Sequence, residues 1–270
     1  MLNLIKACSF QLFYSILIVS DINKGEFKLL EVRNLTKNFK NFIAVDGVSF
    51  EVNKGEILGL IGENGAGKTT IMRMLATMLK LTKGEGKIAG YDLVREPASI
   101  RGEIGILFGG EVGLYDRLTA RENIMYFAEL NGMTCEQAKK SIEELVKELE
   151  MNEFIDKRVG KFSRGMKQKV AIARSIVHRP SVMLFDEPST GLDVSATRLI
   201  QDFIIKCKSE DKAIVFSSHS MREVEKLCDR VVIIHKGKIV EQGTISSLKV
   251  KYNNEDMEDI FVNLIGGSHE

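Results

Sequence analysis

Tryptophan is absent from this chain, and prolines number only three. Cysteines number four, and Cys8, Cys135, Cys207 and Cys228 lie far apart with no C-x-x-C pair. That spacing excludes the close ligand sets of structural zinc sites and the dense disulfide frameworks of small secreted domains, leaving reduced thiols. A charge of one sign is missing too: 38 Lys and Arg stand against 37 Asp and Glu, for a formal +1. Such a balance argues against a protein held to nucleic acid by phosphate neutralisation, and no nucleic-acid partner is expected. No run of roughly 18 apolar residues occurs, so no membrane span is expected either. What is present, 44% apolar and 28% charged residues in a chain of 270, reads as a soluble, near-neutral globular protein of one large or two small domains.

Residues 1–27 stand apart as an N-terminal extension. Positions 7–19 read ACSFQLFYSILIV, too short to cross a bilayer and followed by no small-residue cleavage site. Two readings are open: a short interfacial helix, or a start placed upstream of the folded domain. The second is favoured, because Lys28 begins a strand pattern that needs nothing before it.

From Lys28 on, strand-like and helix-like runs alternate. Residues 29–35, 45–52 and 57–60 read as strands, and residues 71–79 as a helix. Residues 104–108, 182–185, 213–216 and 231–234 are short apolar runs of the kind buried in a parallel sheet. Amphipathic stretches at 120–130, 136–150, 166–177 and 196–206 fall between them, and about 119–178 carries no strand signal. This order predicts an α/β domain with a helical subdomain over about 119–178. A helical tail follows the domain of residues 28–250, within residues 251–270. In it Met257, Ile260, Phe261 and Leu264 share helical spacing that suits packing onto the domain.

Gly62-Glu63-Asn64-Gly65-Ala66-Gly67-Lys68-Thr69 matches G-x-x-x-x-G-K-[ST] in full, with a strand before it and a helix after it. Glycines let the backbone curl so that successive N–H groups face a phosphate at the positive end of a helix. Lys68 adds a point charge for the β- and γ-phosphates, the Thr69 hydroxyl can ligate Mg²⁺, and Thr70 continues the cradle. The apolar run 182–185 ends in Asp186-Glu187-Pro188, which puts two carboxylates at the carboxyl end of a sheet, where open α/β sheets bind ligands. Asp186 is then the Mg²⁺-side acid and Glu187 the candidate base for the attacking water.

Phe162-Ser163-Arg164-Gly165-Met166 resembles the signature of ABC-type ATPases, whose common form is L-S-G-G-Q. The order around it is that family's as well: phosphate loop, signature, Asp186-Glu187, the D-loop-like Ser189-Thr190-Gly191-Leu192-Asp193, then His219. The resemblance covers about residues 28–264. It implies a P-loop ATPase fold with an antiparallel β subdomain and a helical subdomain, with ATP and Mg²⁺ bound and His219 as the switch histidine. Phe39 would stack on adenine, and Ser163 and Gly165 would close over the ATP of a second copy in a nucleotide-sandwich dimer.

Two departures stand out. Arg164 and Met166 replace a glycine and a glutamine of the common signature, while Gly165 is kept. The loop after residues 104–108 reads Gly109-Gly110-Glu111-Val112-Gly113. It lacks the family's usual glutamine, which leaves Glu111 as a candidate substitute there for the Mg²⁺ contact. The wording of residues 108–124, of 165–169 and of the tail 248–264 looks like the NatA group of sodium-exporter ATPase subunits. That resemblance implies a separate ABC-2-type membrane permease, a place on the cytoplasmic face of the membrane, and Na⁺ efflux. Exporters of drugs, lipids or polysaccharides use related subunits, and a weakly hydrolysing ATP clamp is a further alternative. A ribosome-acting reading fails because only one phosphate loop occurs. A chromosome-type reading fails because no sustained heptads separate Thr69 from Ser163.

Overall fold

Along the inner strands of the central sheet, successive side chains enter different cores, because neighbouring residues of a strand point to opposite faces. Ile57 and Ile61 of β3 (Ile57–Ile61) enter one core, and Leu58 and Leu60 enter another. Met183 and Phe185 separate from Val182 and Leu184 in the same way, as do Val231 and Ile233 from Val232 and Ile234. A sheet apolar on both faces has to be the middle layer of the molecule, which is why its strands read as continuous apolar runs. The computed structural model that reveals this describes residues 28–109 and 113–266. The expectations for residues 1–27, for Glu111 and for residues 267–270 lie outside the described residues.

The central sheet has the order β10 (Lys238–Thr244), β9 (Arg230–His235), β3, β8 (Ala213–Ser217), β7 (Val182–Asp186), β6 (Ile104–Phe108). Its pairs are parallel except for β10, which runs antiparallel to β9. A second, antiparallel sheet has the order β2 (Phe42–Asn53), β1 (Lys28–Phe39), β4 (Lys83–Ile88), β5 (Tyr91–Asp92). Its inward residues Leu30, Val32, Val45 and Val52 share a core with α1 (Lys68–Leu75) and with Ile100 of α2 (Pro97–Glu103).

The opposite core is helical. It holds α3 (Ala120–Leu130), α4 (Cys135–Glu148), α5 (Arg164–Ile176), α6 (Val194–Ser209) and α7 (Met221–Leu227). The starts of α3 and α4 are fixed by capping boxes, Thr119 with Glu122 and Thr134 with Gln137. Helices α3 to α5 fall within the expected helical segment. After α8 (Ile245–Tyr252), α9 (Met257–Gly266) buries Met257 and Ile260 in this same core, with Phe261 and Leu264 packed against it.

Helices α1, α4, α5 and α6 end or begin at other residues than the sequence reading gave, and α1 and α5 show why. The helix read over 71–79 is α1, which starts at Lys68 and ends at Leu75. Thr77 takes a left-handed φ of 57°, and the Met78 N–H closes back on the Arg73 carbonyl at 2.9 Å, a turn that stops a helix whatever apolar residues follow. Helix α5 begins at Arg164, two residues before the run read from Met166, because Ser163 caps it.

Candidate nucleotide site

The phosphate loop leaves the buried end of β3 and is wedged in place by backbone. A side chain at Gly62 would put its Cβ 2.4 Å from the Ile234 carbonyl oxygen, and one at Gly67 would come 2.7 Å from that of Ala44. Gly67 has a φ of 113° and caps α1 without a side-chain hydrogen bond, so the first N–H groups of α1 open into the loop. The Ala66 N–H donates to Glu63 (3.1 Å), and the Gly237 N–H donates to Ala66 (3.0 Å). Asn64, Gly65 and Thr69 are exposed on this loop. His235, which sequence reading passed over, brings Nδ1 to 3.4 Å from Glu63 Oε2.

Lys68 is 4% exposed at its side chain and points back over the loop. Its ammonium donates to the Gly62 carbonyl at 2.6 Å and the Glu63 carbonyl at 3.1 Å, and lies 3.8 Å from Glu187 Oε1. Burial pushes its pKa below the ordinary 10.5, while Glu187 and Asp186 pull it up.

The two carboxylates are presented from β7. Asp186 is buried, and its Oδ1 accepts a 2.6 Å bond from the Ser217 hydroxyl on the adjacent strand β8. Glu187 has a φ of 50°, in the left-handed region. Its N–H donates to both the Ser217 carbonyl (3.1 Å) and the Ser217 hydroxyl (3.0 Å). Its Oε2 is met by His219 Nδ1 at 3.4 Å and by the Thr190 hydroxyl, which donates at 3.4 Å. The site therefore sits at the carboxyl ends of three neighbouring strands: β3 carries the loop, β7 the acids, and β8 leads to Ser217 and His219.

Gly109 closes the floor. Its N–H donates to the Asp186 carbonyl at 2.8 Å, and a Cβ there would lie 2.0 Å from the Glu187 carbonyl oxygen. Ser217 was not named from the sequence, and Gly109 and Thr190 entered there only as members of their loops. Only the small polar residues after the buried strand 213–216 hinted at Ser217. Glu111 lies outside the described residues.

Phe39 ends β1 at the hairpin tip, 40% exposed. It stacks on Phe42 with ring centroids 5.3 Å apart and has the Lys37 ammonium 5.2 Å from its centroid. The start of β2 abuts the phosphate loop at Ala44 and Val45, which puts the aromatic pair on the neighbouring surface. Ser163 and Gly165, by contrast, line a separate hollow of about 510 Å³ with Asp193 and Arg198. Glu187 and His219 line another. Ser163 Oγ accepts the Met166 N–H at 3.3 Å, and nothing crowds the Cβ position of Gly165.

A family model described as ABC transporter matches residues 45–190. The chain belongs to the ABC transporter family. Its similar proteins include the ABC transporter ATP-binding protein NatA of Bacillus subtilis (strain 168), 48% identical over 219 residues, covering 81% of this chain and 89% of that protein. The bacitracin transport ATP-binding protein BcrA of Bacillus licheniformis is 37% identical, covering 85% and 74%. Among solved structures, an ATP-binding subunit of an ABC transporter is 28% identical with a TM-score of 0.79, covering 87% of this chain and 99% of that one. A nucleotide-free ATP-binding cassette from an ABC transporter, 23% identical with a TM-score of 0.73, shares the fold. The chain is thus an ATP-binding, ATP-hydrolysing subunit of an ABC transporter, with the P-loop ATPase fold of that family.

Proposed function

We propose that this ABC ATPase drives an exporter, Na⁺ efflux being the favoured transport, through a separate ABC-2-type membrane permease. The observation that carries the catalytic part is the meeting of Lys68, Asp186, Glu187 and His219 at the ends of β3, β7 and β8. Lys68 gives up its loop carbonyls for the β- and γ-phosphates, the N–H groups of residues 62–70 line the phosphate chain, and Phe39 stacks on adenine. Glu187 takes a proton from the attacking water, and His219 holds the carboxylate in line. Thr69 and Asp186 offer one hydroxyl and one carboxylate. That hard-oxygen pair suits Mg²⁺, which takes its remaining ligands from phosphate and water and would neutralise phosphate charge.

Ser163 and Gly165 face outward from the start of α5. A second copy of the chain would bring them onto the γ-phosphate, so ATP favours a closed dimer and hydrolysis releases it. Among the described residues no helix is long and apolar enough to cross a membrane, which fits a motor working beneath a permease on the cytoplasmic face. A groove of about 840 Å³, lined by Met78, Ile106, Phe127 and Leu130 together with Arg174 and His178, offers an apolar seat for it. Sodium is favoured over antibiotic cargo because the NatA likeness, at 48%, exceeds that to the bacitracin protein, at 37%.

Replacing Glu187 by Gln should lower steady-state ATP turnover by roughly 10²–10⁴-fold; unchanged turnover would remove Glu187 from its role. Co-purification with a candidate permease, then ATP-driven uptake of radiolabelled sodium into inverted vesicles, tests the cargo. Movement of an antibiotic or lipid with no sodium flux would overturn the Na⁺ assignment and leave the ATPase in place.

A further inference from the structure

Arg164 stands where the family's common signature has glycine. It occupies the first position of α5, after the Ser163 cap. A cation there opposes the helix dipole, so local helix energetics do not account for it. The guanidinium turns away from its own helix and donates through Nη2 to the Thr190 carbonyl at 3.4 Å. It also lies over Gly191, so closely that a Cβ on that glycine would come 2.9 Å from Nη2. Thr190 is in turn bonded twice to Glu187, its N–H donating to the Glu187 carbonyl at 3.1 Å and its hydroxyl to Oε2 at 3.4 Å. One residue therefore separates the guanidinium from the carboxylate.

We propose that Arg164 is a positioning residue for hydrolysis: holding the Thr190 carbonyl, it keeps the Thr190 hydroxyl against Glu187 and so fixes the direction of that carboxylate. The inference rests on the reading of Glu187 as the base. Lys68 stands off Oε1 at 3.8 Å, and Oε2 is shared by Thr190 and His219. Without the Thr190 bond, Oε2 keeps only His219, whose side chain is 60% exposed, and the carboxylate gains freedom to swing. The relay also joins two places that serve different nucleotides. Ser163 and Gly165 face the partner's ATP, whereas Glu187 acts on the chain's own. Closure of one composite site is thereby felt at the base of the other. A guanidinium-to-carbonyl bond is charge-assisted and strengthens as a closing interface excludes water.

The test compares R164G, R164K, T190V and the R164G/T190V double variant of the full-length chain in steady-state MgATP hydrolysis, with thermal unfolding to check folding. R164G and T190V should each lower kcat by about threefold to tenfold, the scale of one hydrogen bond, with KM within about twofold. The double variant should be no worse than the poorer single, as expected for two members of one relay. R164K, which keeps a donor, should recover part of the loss. In an E187Q background, ATP-driven dimer formation measured by light scattering should survive R164G. A kcat unchanged by R164G would overturn the proposal, as would losses that multiply in the double variant. So would a raised KM with lost dimer formation, which would mark Arg164 as a direct phosphate contact. If E187Q itself leaves turnover intact, the reading of Glu187 fails, a result separable from all of these.

Discussion

Glu187 holds a left-handed φ of 50° without being glycine, a conformation that persists only where the surroundings over-determine it. Three neighbours do so: Ser217 takes its N–H twice, Thr190 takes its carbonyl, and Gly109 leaves room for that carbonyl by having no side chain. Of these, Gly109 has the least latitude. In G109A the new Cβ would start 2.0 Å from the Glu187 oxygen, so either the loop or the carboxylate must shift. A displacement near 1 Å at a reacting group costs about 100-fold, and steady-state turnover of folded G109A should fall on that scale; near-normal turnover would show that the loop yields instead. At Lys68 the desolvated ammonium is stabilised by loop carbonyls and two nearby carboxylates. In K68M the loop carbonyls lose their donor and the phosphates lose their charge partner, so ATP binding measured by calorimetry should be lost while the fold is kept.

At the scale of elements, burial decides most of the outcome. His178, on the turn after α5, has Nε2 at 3.0 Å from the Ile104 carbonyl, and burial pushes its pKa below the ordinary 6.5. The unfolded chain then binds a proton more readily than the fold does. The contribution of neutral His178 is therefore full above about pH 6.5 and lost as pH falls through its lower folded value. H178Q should flatten the fall in Tm between about pH 7 and pH 5; an unchanged slope would mean that other groups set it. Helix α9 makes a simpler case. Met257 and Ile260 are almost fully buried in the helical core, so I260A should destabilise by about 2–5 kcal/mol in denaturant unfolding. A loss under about 0.5 kcal/mol, the surface level, would show the tail to be a mere appendage.

These burial patterns also explain what could be read in advance. The strands of the central sheet other than β10 were legible because both faces are apolar, and α3 to α6 because each has one apolar stripe. Strand β4, Lys-Gly-Glu-Gly-Lys-Ile, was not. Only Gly86 and Ile88 face inward, and the register with β1, Leu30 opposite Ile88, supplies its structure. The end of α1 was overrun because the stop is a backbone turn at Thr77 rather than a change in polarity. Within the site, the phosphate loop and the acid pair were legible because spacing alone writes them. Ser217, Thr190 and Gly109 were not, since each acts through a strand or loop that folding brings alongside.

For the whole molecule, an outward-facing signature and an exposed phosphate loop on one chain make one prediction at low protein concentration. E187Q with MgATP should dimerise, and the same variant with ADP should stay monomeric. A monomer in both would count against nucleotide-driven closure. The partition described for the central sheet carries a further consequence. The phosphate grip, α1 with Ile71, Met72, Met74 and Leu75, is rooted in one core, while α3 to α5 and the tail are rooted in the other, and the groove spans the two. Such a chain can drift on one side without disturbing the other. Substitutions that repack the core beneath α3 and α5 should therefore leave the anchoring of the phosphate grip unaltered.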